Sequence, residues 1–574
     1  MTTIPRRPAR ALLSARELAA LLVLSLHAGV ALAQPTEAAP AADEQAAAAP
    51  AAAVAPSAAP DQAEGAPARA SSQAAPAPPS AAEASSSTAS PAEPSGSEPS
   101  ASSRDEPSAP AVPRPVQPTA DEVTPLRYVL EGIELRGNER TRARVVLRYL
   151  PFRQGEVFDV DDPQVELARY RLLGTGFFRD VQFSLRKGSR RGFVVLVVDL
   201  VERNTVVVNN LWMGLSADAD THGRARPLTA YMGLDVAETN LAGTGMTLGS
   251  ALGLAQDQFA LRVRFLDPAF LATDWMVDVS LLYNDANDFF GNAGVRASPQ
   301  VTNSAVVQYR RFGGSVGVGR DLSVSSQVWA HYRLESIDAA PPLAASHVRG
   351  GQREPILIDI IRGQSVLSSI SGTLQFDTRD QPFLPTRGWL TTLTGEFALL
   401  PLGSHYDYQR IDLYASHWWK LPWKKHVARL ELFVGTITGD APFFEQYYVG
   451  DFSDFLPARV LGLNFDRRPS PNLLGTSIEE VRYGQYAAKV KGEYRVPLYR
   501  GHHSVYGIDL YGSMGIFGLA HRRDLLNPPR NYSGLAQVPV DVTADVGVRM
   551  DTTVGGVALA FSNVLGFIPV RGNW

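Results

Sequence analysis

From about Val206 to Trp574, apolar and polar positions alternate in segment after segment. In SVGVGRDLSVSSQVWAHYRLES, Val316, Val318, Leu322, Val324, Val328, Ala330, Tyr332 and Leu334 all share one parity. WMVDVSLLY repeats the pattern with Trp275, Val277, Val279, Leu281 and Tyr283, and VYGIDLYGS with Tyr506, Ile508 and Leu510. Successive side chains of a strand point to opposite sides, so a period of two predicts strands with one apolar face. Gly, Asp, Asn and Pro separate the segments, as turns between antiparallel strands require. No longer repeat of fixed period points to a propeller or solenoid.

Residues 126–206 carry a different pattern. RYVLEGIELRGNER alternates as a strand that ends at Gly137-Asn138, and TRARVVLRYLP spaces Val145, Val146 and Tyr149 as a helix stopping at Pro151. DVDDPQVELARYRLLGTG predicts a second helix, with Asp161 or Asp162 as its cap, a proline in the first turn and glycines at the end. FFRDVQFSLRKG and FVVLVVDLVER follow as strands. The order β-α-α-β-β makes one small α+β domain.

Composition adds an address. Arg6, Arg7 and Arg10 precede an apolar run from Leu18 to Val30, and Ala31-Leu32-Ala33 supplies the small residues of a signal-peptidase site. The expected signal peptide is 1–33, cut before Gln34. Its apolar run falls short of the ~20 residues of a spanning helix. Residues 34–124 are largely Ala, Pro and Ser, with almost no aromatic or branched side chains. Such a segment cannot bury enough surface to fold and is expected to be a disordered tether. With secretion in view, and aromatic strand ends such as HWWKLPW, the alternating region fits a transmembrane barrel better than a soluble sandwich. Residues 207–574 accommodate about 16 strands of ~10 residues.

Charge and cysteine content exclude several classes. The 54 Lys and Arg nearly balance 58 Asp and Glu, so nothing favours nucleic acid. Cysteine is absent, which removes disulfides, thiolate metal sites and a catalytic cysteine together. GGSVG (313–317) matches a serine-hydrolase elbow, but Ser315 lies within strand pattern rather than at a strand-to-helix turn. GTGMTLG (243–249) lacks the following helix that a phosphate loop needs. His502 and His503 are adjacent, and so point to opposite sides of an extended chain. No enzyme activity, cofactor or metal site is expected.

The residues also carry a family resemblance. Gly137-Asn138, Gly155, LLGTGFFRDV and VDLVER resemble a polypeptide-transport-associated (POTRA) domain. ETNLAGTG (238–245), FLDPAF (265–270), KGEYRVPLY (491–499) and above all FDTRDQPFLPTRGW (376–389) resemble the Omp85 superfamily, the bacterial surface antigen group of BamA- and TamA-like barrels. The turn motif of that last stretch comprises Asp377, Arg379, Asp380, Pro385, Arg387, Gly388 and Trp389. The resemblance implies a mainly β protein: an outer-membrane barrel preceded by a single periplasmic POTRA domain. It implies client outer-membrane or secreted polypeptides as partners, captured by strand addition at a POTRA edge. Outer-membrane lipid is the other expected partner, and the tether offers a periplasmic or cell-wall contact.

In this family a loop folds back into the barrel and carries a Val-Arg-Gly-aromatic motif. By order and spacing that place falls on Val460, Leu461, Gly462 and Leu463, so the arginine and the aromatic are both replaced. The family's acidic wall positions fall on Glu493 and Ser513. Arg459, two residues before Leu461, is the substitute cation expected for Glu493. Barrels of the family close by pairing the first strand with the last; here Pro569 removes a backbone donor near the aromatic terminus, Trp574. The expected function is accessory insertion or translocation of polypeptides. The alternatives are a two-partner secretion transporter, which would be expected to carry two POTRA domains, and a passive pore or structural anchor.

Overall fold

The computed structural model describes residues 127–561, apart from 220–224, 292–303, 343–345, 350–351, 424, 449–458, 462, 465–471 and 502–503. The signal segment, the tether, His502, His503, Pro569 and Trp574 therefore lie outside the described residues.

The N-terminal part is a four-stranded sheet with two helices. Strands β1 (Arg127–Arg136), β2 (Val157–Asp159), β3 (Phe178–Lys187) and β4 (Phe193–Glu202) lie in the order β2-β1-β4-β3. The central pair β1 and β4 is parallel, and the outer pairings are antiparallel. Helix α1 (Ala143–Arg148) presents Val145 and Val146 to the core. Helix α2 (Pro163–Gly174) starts where Asp162 accepts from the Gln164 amide at 2.8 Å, with Pro163 in the first turn, and it buries Ala168, Leu172 and Leu173. The short β2 is an addition to the expected order. Three residues carry no readable alternation, and only pairing with β1 makes them a strand.

Most of the remainder is one antiparallel sheet of fifteen strands among the described residues, in chain order from Val206–Ala219 to Gly555–Phe561, with three two-stranded ribbons in the connections. Their parity runs opposite to that of a globular core. Val316 and Leu334, on the apolar parity, are 42% and 41% exposed, whereas Lys491, Glu493 and Arg495 are 2%, 5% and 1% exposed. Charged side chains inside and apolar ones outside make a barrel whose outer surface suits hydrocarbon. One expected run is divided. Strand Ser304–Asp321 ends before Leu322, and Ser326–Ala340 begins four residues later, with the Leu322 amide bonded to the Ser326 carbonyl at 2.9 Å. Val324 in this turn packs against the core of the α+β domain, so its apolar character serves that contact and not the outer face.

The α+β domain is bolted to one mouth of the barrel. Arg171 of α2 pairs with Asp321 and donates to the Ser323 and Val324 carbonyls, each at 2.7 Å. The NLAGTG segment supplies a second contact. Asn240 is buried and donates to Thr141 Oγ1 at 2.8 Å, and the Arg142 amide reaches the Gly243 carbonyl at 3.0 Å. Gly243 has φ +70°, and a Cβ there would lie 2.0 Å from the Arg140 carbonyl oxygen. Close approach of two backbones requires glycine at this position.

Candidate functional site

The chain between strands Val427–Gly439 and Tyr486–Arg500 turns back onto the inner wall of the barrel. It is tethered at its start. Glu445 lies 3.0 Å from Arg333, 3.6 Å from Arg311 and 3.8 Å from Arg410, all on inward-facing positions of three different strands. Glu335 and Glu396 share the same arginines, Glu335 lying 2.7 Å from Arg311 and Glu396 3.2 Å from Arg333. Tyr408 donates to Glu396 at 3.1 Å. Burial alone would raise the Glu445 carboxyl's pKa, but the charges of Arg333, Arg311 and Arg410 outweigh it and hold the pKa below the usual glutamate range. Aromatic packing completes the anchor: Phe444 stacks on Tyr309 with ring centroids 5.5 Å apart, and Phe443 meets Phe290 edge-on at 5.0 Å.

The loop tip is a tight hairpin in which Arg459 pairs with Asn464 and Val460 with Leu463. Leu461 has φ +56°, an uncommon conformation for a branched side chain. Its carbonyl accepts from Asn284 Nδ2 at 2.7 Å, and Leu463 is fully buried. A cavity of about 330 Å³ beneath the tip is lined by Leu461 with Arg262, Arg311, Arg333, Glu335 and Ser315. Ser315 itself sits mid-strand, paired with Ser280 and Arg333. Gly462 and the side chains of Arg459 and Val460 lie outside the described residues, and so does the contact expected between Arg459 and Glu493.

Glu493 is met by cations of the wall itself: Arg549 at 2.8 Å, Arg495 at 3.5 Å and Arg429 at 3.6 Å. Ser513 is its register partner on the next strand and donates to Asp545 at 3.1 Å, where Lys491 also ends. A carboxylate therefore stands beside Ser513, one strand further on. Lys489 with Glu431, at 2.6 Å, and Arg495 with Asp509, at 3.5 Å, extend the lattice of alternating charge. Sequence reasoning reached Glu493 and Ser513 but not Glu445, Arg311, Arg333, Arg429 or Arg549. The available signal was charge of both signs on the inward parity, as in Arg333 and Glu335 or Lys491, Glu493 and Arg495.

The motif 376–389 folds into a compact turn under the mouth. Asp377 accepts both guanidinium bonds of Arg379, at 2.7 and 2.9 Å. Asp380 closes the turn by accepting from the Thr386 and Arg387 amides at 2.8 and 3.3 Å. Pro385 offers its carbonyl to Arg495, which ties the turn to the lumen lattice. Arg387 reaches Glu166 and Tyr170 of α2. Gly388 has φ +106°, and a Cβ there would lie 2.3 Å from the Thr378 carbonyl oxygen. Trp389 is half exposed on the outer face, with its ring 4.1 Å from that of His417.

A family model described as the Omp85 superfamily domain matches residues 240–455. The outer membrane protein assembly factor BamA of Neisseria meningitidis serogroup B is 26% identical over 342 residues, 56% of this chain. The matched part is 38% of that relative's length. Among solved structures, BamA from Haemophilus ducreyi lacking POTRA domains 1–3 aligns with a TM-score of 0.42 at 16% identity, covering 76% of this chain and 80% of that one. CdiB from Escherichia coli aligns with a TM-score of 0.47 at 10% identity, covering 76% and 72%.

Proposed function

We propose that this chain is an outer-membrane barrel protein of the Omp85 superfamily, whose domain matches residues 240–455, and that it is an accessory factor for inserting or translocating other polypeptides at that membrane. The α+β domain, read as a POTRA domain, faces the periplasm and receives an extended client. Strand β3 is an edge of its sheet and pairs with β4 on one side. A client strand adding to the other side gains backbone hydrogen bonds without needing a fixed sequence. No bond is made or broken in this account; hydrogen-bond partners are exchanged.

The observation that supports the reading most directly is the state of the first and last described strands of the barrel. Among the described residues, no ladder joins Val206–Ala219 to Gly555–Phe561; beside the mouth that carries the domain, the Val208 amide bonds to the Val554 carbonyl at 2.8 Å. Unpaired strand edges template pairing with another chain. The direct test places photo-crosslinking residues at Gln182 and Ser184 on β3 in the full-length protein in cells. Adducts with newly secreted chains at β3, absent from equivalent positions on the helices, are the expected result. Adducts at neither place, under conditions where secretion proceeds, would count against client capture and favour a pore or anchor.

A further inference from the structure

We propose that Arg203 pins the two ends of the barrel sheet together at the domain-side mouth, with Phe383 as the wedge that holds the pin. Arg203 lies in the link between β4 and the first barrel strand, and it is 7% exposed. Its guanidinium donates to Asp551 at 3.1 Å and to the Thr552 carbonyl at 2.7 Å, both at the end of the penultimate strand. The next residue repeats the contact: Asn204 Nδ2 donates to the Thr553 carbonyl at 3.1 Å. Backbone follows side chain, with the Val208 amide bonded to the Val554 carbonyl at 2.8 Å. These contacts join the first strand to the last hairpin where no ladder does so among the described residues.

The guanidinium is also packed from outside the seam. Phe383 presents its ring 4.5 Å from the Arg203 guanidinium carbon, and Tyr506 presents its own at 5.1 Å. Phe383 comes from the turn between Gly363–Asp377 and Gly388–Ala398, on strands far from the seam in sheet order. It crosses the mouth to rest beside Gly556, where an added Cβ would lie 3.1 Å from its ring. A desolvated guanidinium held by a carboxylate, a carbonyl and an aromatic face is a strong contact. Partners drawn from three separate stretches of chain can be satisfied together only when the seam's end is closed.

The seam claim does not depend on what the barrel handles, so its failure would leave the proposed function standing. Full-length protein in lipid nanodiscs is compared with Arg203→Gln and Arg203→Lys by amide hydrogen exchange. Exchange across 206–210 and 553–558 should rise about tenfold in Arg203→Gln, and less in Arg203→Lys, while Val427–Gly439 stays protected. Unchanged exchange at the seam would overturn the pin. If Arg203→Gln does not fold, Phe383→Ala decides, because it leaves every hydrogen-bond partner of Arg203 in place. Faster seam exchange in that variant supports the wedge, and wild-type exchange overturns it.

Discussion

Glu445 holds the start of the lumen loop against three arginines on three strands, so its loss leaves buried cations without their shared partner. Glu445→Gln keeps the shape and removes the charge, and should destabilise the loop anchor by on the order of 3 kcal/mol. Faster proteolysis or amide exchange at 443–448 would register it, with the barrel strands unaffected. The pH dependence follows from the same carboxyl. Its folded pKa is depressed, so its contribution is fully present above the ordinary glutamate value, near ~4.3, and is lost as pH falls through the lower folded value. Anchoring should hold at pH 5 and give way only in stronger acid. Leu461 gives a prediction of opposite character. The wall beneath it carries Arg262, Arg311 and Arg333, already matched by Asp235, Glu335, Glu396 and Glu445, so Leu461→Arg would add a cation to carboxylates that existing arginines engage. Restoring the family's arginine should therefore loosen the tip, and slower exchange at 459–464 would contradict that reading. Little of this was legible in the chain, because Glu445 gathers partners from Arg311 to Arg410 that lie apart in sequence and meet only across the lumen.

The turn between Asp377 and Trp389 was the most legible element, since its aspartates, prolines and glycine each perform a local task. Asp380 accepts the amides that close the turn, and Gly388 supplies a conformation that other residues adopt only under strain. Gly388→Ala would force a Cβ against the Thr378 carbonyl and cost about 1–3 kcal/mol or more. A lower thermal midpoint with the strand signal of the folded barrel retained is expected; an unchanged midpoint would mean the turn relaxes freely. Long strands were equally readable, because parity in Trp275–Tyr283 or Tyr506–Leu510 persists over several residues. Two places were not. Leu322 and Val324 continue the parity of their neighbours through a turn, and β2 is too short to show any period. Val324 is there for its contact with the α+β domain and β2 is a strand only through its pairing with β1, and alternation carries no record of either contact.

At the scale of the molecule, a barrel with paired charges within and apolar side chains without carries an α+β domain fixed to one mouth. Arg171 and Asn240 secure the domain to the barrel turns, and Arg387 secures the mouth turn to α2. Domain, mouth turn and seam are thereby one connected assembly, with the edge strand β3 as part of it. That arrangement suits transfer of an extended chain from one strand edge to another, and it is the central claim. Depleting the protein from living cells and quantifying every outer-membrane and secreted protein tests it most directly. A concerted fall in several other barrel proteins is the expected result, before any general loss of envelope integrity. Loss of one secreted protein would instead point to a dedicated transporter, and undisturbed levels of both classes would contradict a role in handling polypeptides.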